Sequence, residues 1–171
     1  GGTRAHPTFL QVGRIGTHTS VPRRSHACLR FSQVALGNVA RRRGRFKEAE
    51  NYLEQALMIA REIGDRQNVS ATLAYLGATE WRRGRLDAAE AYLEQALAID
   101  REIGDRQAEG VDLSMLADIF LRRRQLDTAE NISEQGLAIS REVGDMPNHG
   151  SYLCDLGRVG LERRQNKVGR S

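Results

Sequence analysis

Aromatic residues make up only 5% of this chain of 171 residues, and there are only four histidines. Few aromatics are typical of helices that pack closely through Ala, Gly and Leu. His26 and Cys28 are too few for a closed zinc site, which takes about four ligands. No Gly-rich phosphate loop follows a strand, and no stretch approaches the ~20 apolar residues of a membrane span. We therefore expect no metal, no cofactor and no membrane partner.

The chain repeats itself every 40 residues. The segment 61–67, Arg-Glu-Ile-Gly-Asp-Arg-Gln, returns unchanged at 101–107 and returns in part at 141–145. A fixed period of this size is typical of stacked repeats, in which each unit buries its apolar face against its neighbours. Acid pairs such as Glu48 and Glu50 recur with the units, as structural positions do. The pattern therefore favours a binding scaffold over an enzyme.

Each unit contains the patterns of two helices. In the second half of the first unit, apolar residues follow the i, i+3, i+4, i+7 spacing of an amphipathic helix: Ala49, Tyr52, Leu53, Ala56, Leu57 and Ala60. Gly64 is predicted to close that helix in a left-handed conformation, and Asp65 to N-cap the next one. Two helices of about 17 residues, a tight turn and a Gly-Asp link account for the period.

The third unit departs from the other two. Ile132-Ser133 replaces the Tyr-Leu pair, and Gly136 stands where the second unit has Ala96. Glycine in a helix interior costs about 1 kcal/mol relative to alanine. Because terminal repeats are commonly atypical, we expect this unit to lie near an end of the array.

The two ends of the chain do not repeat. Residues 1–24 hold four Arg and no acid, which predicts a disordered basic tail. The predicted array covers 25–165 (units 25–64, 65–104 and 105–144 and a half unit 145–165), with Ser25 as the first N-cap and a second disordered tail at 166–171. An Arg-rich start also suits an organellar transit segment, but a chain that begins with Gly favours a fragment, a tag remnant or a misassigned start. The missing second helix after 165 favours a cut array over a lone capping helix at 151–165.

These repeating positions resemble the tetratricopeptide repeat family. Its Leu-Gly pair appears as Leu36-Gly37, Leu76-Gly77, Leu116-Ala117 and Leu156-Gly157, and its small positions as Ala49, Ala89, Ala129 and Ala56, Ala96, Gly136. The 40-residue period, with Arg61 in place of the terminal Pro, is similar to the long repeats of Pins-type adaptors, kinesin light chains and bacterial regulatory proteins. The resemblance implies an all-α, right-handed solenoid of about three helical hairpins plus a terminal helix.

The positive charge of the chain lies mainly in its tails. The net charge is +4, but the segment 31–162 holds 17 basic and 22 acidic residues. A nucleic-acid-binding domain should carry its basic footprint on the folded surface, so we expect no nucleic-acid partner. Cys28 and Cys154 lie at opposite ends of the array and are not expected to bond, which suits a cytoplasmic location.

The resemblance also implies a concave groove lined by the first helix of each unit. By register, the groove-facing residues are Val34, Asn38, Arg41 and Arg42, then Ala74, Ala78, Trp81 and Arg82, then Ser114, Asp118, Leu121 and Arg122. Arg42, Arg82 and Arg122 would form a column suited to the carboxylates of an acidic peptide. Alternatively, these cations complement the dipoles of the helices that they end. Trp81 would anchor a ligand or pack between units.

We therefore expect a scaffold that binds a peptide or a partner helix in this groove. Val34, Trp81 and Leu121 would supply the apolar contact. Two alternatives stay open. The array could be the sensing module of a larger transcriptional or signalling regulator, or a structural array that self-associates through its open ends.

Overall fold

The computed structural model describes residues 23–168, and the side chains of 28–167. Within these residues it contains seven helices and no strand: α1 Arg23–Arg42, α2 Phe46–Glu62, α3 Arg66–Arg82, α4 Leu86–Ile103, α5 Arg106–Arg122, α6 Leu126–Val143 and α7 Met146–Val168. Helices α1 to α6 pair as three hairpins, and α7 packs on α6 and α5. The predicted all-α solenoid of three hairpins plus a terminal helix is confirmed. None of the helices described is long and apolar enough to cross a membrane.

The Gly-Asp links between units follow the predicted geometry. Gly104 and Gly144 end α4 and α6 with φ of 74° and 72°, a left-handed conformation that glycine adopts without a steric penalty. The Asp105 carboxylate then accepts a hydrogen bond from the backbone N–H of Ala108 at 3.0 Å. Each link therefore ends one helix and caps the next within two residues.

The ends of the array differ from the predicted boundaries. Helix α1 begins at Arg23, so Ser25 lies within its first turn and is not its N-cap. Residues 1–22, which hold most of the tail predicted to be disordered, lie outside the described residues. Helix α7 continues to Val168, into the segment predicted as a second tail, and its last turns after Gly160 contain no Gly or Pro.

The helices of a hairpin cross where one of them carries a small residue. A Cβ atom on Gly77 would lie 2.8 Å from Cγ of Leu93, and one on Gly37 would meet Leu53 equally closely. In the third unit the equivalent residues are Ala117 and Ser133, and both are fully buried. The added methyl group of Ala117 is thus matched by a smaller residue on the facing helix, which keeps the crossing filled.

Gly136 is required by its packing, which its helix propensity does not reveal. A Cβ atom there would overlap the ring of Tyr152, a residue of α7 that is fully buried. The Tyr152 hydroxyl donates a hydrogen bond to the backbone oxygen of Gly110, so both ends of the side chain are accommodated. The propensity cost of Gly136 is therefore offset by the burial of an aromatic ring.

Arginines near the ends of three first helices clamp consecutive units together. Arg83, Arg123 and Arg163 form ion pairs with the preceding helix at Glu50, Glu90 and Glu130, at N–O distances of 2.7, 2.5 and 2.7 Å. Arg83 also binds Glu80, whose side chain is buried. The sequence interpretation assigned such last-turn arginines to helix dipoles or to a ligand. The structure adds a third role, the pairing of consecutive units, and its signal in the sequence was that the arginine and the glutamate both recur every 40 residues.

Candidate partner-binding groove

The first helices of the units line a groove of about 570 Å³. Its walls carry Arg41 from α1, Ala74, Tyr75, Ala78, Trp81 and Arg82 from α3, Val111, Ser114, Met115 and Asp118 from α5, and Ser151, Asp155 and Arg158 from α7. The space exists because Ala74, Ala78 and Ser114 place short side chains where their helices face the groove. The floor is thus largely apolar, with charged groups at its ends.

Trp81, Asp118 and Arg122 form one connected cluster. The indole N–H of Trp81 donates to Oδ2 of Asp118 at 2.7 Å, and Nε of Arg122 donates to the same oxygen at 2.6 Å. The Arg122 guanidinium lies 4.6 Å from the centroid of the Trp81 ring, within cation–π range. Trp81 therefore connects α3 to α5, as the packing interpretation predicted, and its side chain also lines the groove.

The charges at the α7 end of the groove largely balance. Arg158 lies 3.6 Å from a carboxylate oxygen of Asp118 and 3.5 Å from one of Asp155. Burial raises the pKa of Asp155, and the positive charge of Arg158 acts in the opposite direction. Two guanidinium groups and two carboxylates thus form a compact network at this end, with little excess charge for a ligand.

Arg41 and Arg82 form the cationic end. Arg41 donates to Oδ1 of Asn38 at 3.2 Å, while its Nε is buried without a hydrogen-bond partner among the described residues. Burial, together with the charges of Arg82 and Arg42, lowers the pKa of Arg41. Neither Arg41 nor Arg82 forms an ion pair with a described carboxylate. A negatively charged group placed here would relieve the repulsion between two guanidinium groups.

Seven of the nine predicted site residues divide into two groups. Arg41, Trp81, Arg82 and Asp118 line the groove. Val34 and Asn38 are half-buried on α1 and Arg42 is exposed, and none of these three lines it.

The prediction that Leu121 faces the groove is wrong. It is only 2% exposed and packs with Ala129 and Val159, so it is not available to a partner. Register with Trp81 had placed it in the groove, but the packing of α7 against α5 covers this side chain.

The predicted arginine column also changes. Arg42, Arg82 and Arg122 are not three equivalent donors, because Arg122 is bound to Asp118 and stacked on Trp81. Arg82 keeps its side chain exposed, and its neighbour in the groove is Arg41. The unpaired positive charge is therefore concentrated at the boundary between the first two units.

Sequence reasoning missed the contribution of α7 and part of the floor. The missed lining residues are Tyr75, Val111, Met115, Ser151, Asp155 and Arg158. Arg158 occupies the repeat position of Asn38, Ala78 and Asp118, so register alone could have placed it in the groove. It was missed because α7 was treated only as a terminal helix, without a groove face of its own.

Comparison with known proteins agrees with the architecture. The tetratricopeptide repeat profile matches residues 29–102. A kinesin-light-chain-like protein of Podosopora anserina with nearly identical TPR-like repeats has a TM-score of 0.63 at 21% identity, over 82% of this chain and 70% of its own. BtubC (BKLC) of P. vanneervenii has a TM-score of 0.60 at 17% identity, over 81% of this chain and 66% of its own. No curated protein matches the sequence.

These structural likenesses, at such low identity, concern the fold. The profile match covers the first two units, and the helical hairpins continue in the same 40-residue register through the third unit to α7. The repeat motif, the profile match over residues 29–102 and the solenoid thus agree in pointing to a tetratricopeptide repeat architecture.

Proposed function

We propose that this protein is an interaction scaffold whose groove binds an acidic peptide segment or partner helix. Tetratricopeptide repeats generally mediate protein–protein interactions. The observation that carries the finer proposal is the pair Arg41 and Arg82, which no described carboxylate neutralises, beside an apolar floor. We place the scaffold in the cytoplasm, where the exposed thiols of Cys28 and Cys154 would stay reduced.

The groove would position such a ligand through two kinds of contact. A ligand carboxylate would accept hydrogen bonds from the guanidinium groups of Arg41 and Arg82, which suit it geometrically. Apolar ligand side chains would then cover Ala78, Val111 and Met115. The balanced network of Asp118 and its arginines would contribute orientation and little net attraction. The ligand therefore needs its acidic residue at the end of the groove nearer to α1.

Fluorescence anisotropy with labelled 12-residue peptides tests this proposal. The set would permute Asp and Glu positions around Leu and Phe, and the tightest binder would be titrated against variants of the full chain. We expect Arg41→Gln combined with Arg82→Gln to weaken binding about tenfold and to reduce its salt dependence. Arg122→Gln should have a smaller effect, because Asp118 already neutralises Arg122.

The matched control is Arg61→Gln combined with Arg141→Gln, which removes two exposed charges from second helices. It should leave the affinity unchanged. Equal binding of acid-free peptides, or full affinity in the Arg41/Arg82 variant with unchanged circular dichroism, would refute the proposal.

A further inference from the structure

A stripe along α1 is exposed at positions that the later units bury. Leu29, Leu36 and Val39 are 48%, 46% and 46% exposed, whereas the equivalent residues of α3, Val69, Leu76 and Thr79, are 5%, 1% and 0% exposed. Helix α3 packs between α2 and α4, but among the described residues no helix precedes α1. The stripe therefore has the position of an inter-unit contact without the helix that would cover it.

Arg43 continues this stripe and lacks the carboxylate found in every later unit. Its equivalents are Arg83, Arg123 and Arg163, which bind Glu50, Glu90 and Glu130 on the preceding helices. Arg43 is exposed and forms no ion pair within the described part of the chain. The contact between units thus combines an apolar stripe with one guanidinium–carboxylate pair, and α1 presents its half of both.

We propose that the α1 edge, formed by Leu29, Leu36, Val39 and Arg43, docks an amphipathic helix of a partner protein that carries acidic residues near its N-terminus. The internal helix α4 shows the required chemistry. It presents Asp87 and Glu90 to Arg123 and buries Leu93 and Leu97 on its apolar face. This surface lies outside the groove, so the inference is independent of the acidic-peptide proposal.

Charge distinguishes such a partner from the other candidate occupants. Residues 1–22 contain no Asp or Glu, so they cannot supply the carboxylate for Arg43. A second copy would offer its open end, α7, which has no acid in its first turn. Moreover, α1 carries five arginines and no acid, so the basic end of α7 at Arg164 and Lys167 would be repelled. A separate acidic helix satisfies both halves of the contact.

The test uses a fluorescein-labelled peptide of sequence 85–105, which contains α4 with Asp87 and Glu90. Anisotropy would follow its binding to the full 171-residue chain. We expect saturable binding that Leu36→Asp weakens about tenfold or more, since a buried leucine contact is lost. Phe31→Asp is the matched control on the same helix, and it should change the affinity less than about twofold. Phe31 lies off the stripe, and its equivalent Ala71 is exposed even with α2 in place.

A charge exchange tests the ion pair. Arg43→Glu should weaken binding about fivefold, and a peptide with Glu90→Arg should restore it. Circular dichroism would verify that each variant keeps its helices. Absence of binding to the folded chain, or binding that Leu36→Asp does not weaken, would overturn the proposal.

Two further results would overturn the proposal by naming another occupant. One is a concentration-dependent dimer in light scattering that Leu36→Asp abolishes, which would assign the α1 edge to a second copy. The other is cross-linking of a photoreactive group at position 36 to residues 1–22 of the same chain. The expected results are a monomer in light scattering and no internal cross-link.

Discussion

Between α4 and α5 the solenoid buries two carboxyl groups, whereas between α6 and α7 the same two repeat positions bury a serine and a tyrosine. Asp100 and Asp112 are each 1% exposed, and Ser70 donates a hydrogen bond to Asp100. Oδ2 of each carboxyl is buried without a partner among the described residues, so a proton shared between the two carboxyl groups would satisfy the pair. At the second contact, Ser140 and Tyr152 place no acid at these two positions.

Between α2 and α3, the same two repeat positions hold a third combination, Ala60 and Thr72. The backbone arrangement is shared, so it does not dictate which chemistry fills the space. What the three contacts have in common is a filled volume and a partner for the buried polar groups. The effect of substituting a residue in this array therefore depends on its partner on the neighbouring helix, and not on which residue holds the same position in the other units.

The largest expected effect comes from breaking the match between Gly136 and Tyr152. Gly136→Ala should destabilise the protein by about 2 kcal/mol, although alanine gains about 1 kcal/mol in helix propensity, because the new methyl group overlaps a buried ring. Tyr152→Thr should cost about 3 kcal/mol through the lost aromatic burial. Urea unfolding followed by circular dichroism would measure both.

The control is the double variant, which transfers the Ala56 and Thr72 chemistry of the first units to the end of the array. Because the alanine fills part of the space that the tyrosine vacates, the double variant should lose less stability than the sum of the two single variants. Strict additivity of the two stability losses would mean that Gly136 and Tyr152 do not interact. It would contradict the conclusion that a residue is matched to its partner on the neighbouring helix.

The sequence predicted most of the fold because its strongest signals are local. The 40-residue period, the cap at Asp105 and the left-handed Gly104 each depend on neighbours in the chain. Gly136 and Leu121 were misjudged because their environment comes from α7, more than a dozen residues away along the chain. Helix propensity and register contain no information on such a partner. In the groove, register located Trp81 and Arg82 but not the bond that commits Arg122 to Asp118.

The buried acid pair should make stability depend on pH. Burial, followed by the charge of Asp100 and the bond to it, raises the pKa of Asp112 to about 8. The folded state then holds a proton that the unfolded state releases near pH 4, so the free energy of unfolding falls as the pH rises from about 4 to about 8. Between pH 6 and pH 9 the loss should be on the order of 2 kcal/mol. Thermal unfolding across this range measures it.

Asp112→Asn keeps a hydrogen-bond donor for Asp100 and removes the carboxyl group whose pKa is raised to about 8, so its stability should change far less above pH 6. The other acids facing the pair are Asp105 and Glu109, and Glu109 is bound by Arg101 and Arg106. Glu134→Gln, at an exposed position on α6, is the matched control and should retain the wild-type slope. An unchanged slope in Asp112→Asn would assign the pH dependence to other groups.

The smallest effect compares one repeat position inside the array and at its end. Gly77→Ala should destabilise by about 1 kcal/mol, because its Cβ would lie 2.8 Å from Leu93 Cγ. Gly157 has no neighbour within 4 Å of that point, so Gly157→Ala should stabilise α7 by about 0.5–1 kcal/mol through helix propensity alone.

Gly160→Ala, at a second open position of α7, calibrates the gain from propensity, and the midpoints of thermal unfolding decide the sign of each change. Opposite signs at Gly77 and Gly157 would mean that the glycine of the Leu-Gly motif matters only where a second helix crosses it. A gain in stability at both positions would mean that the Leu93 side chain shifts easily to make room for the new methyl group. A small residue would then not be required at the hairpin crossing, and Ala117 would be tolerated there even without the small Ser133 on the facing helix.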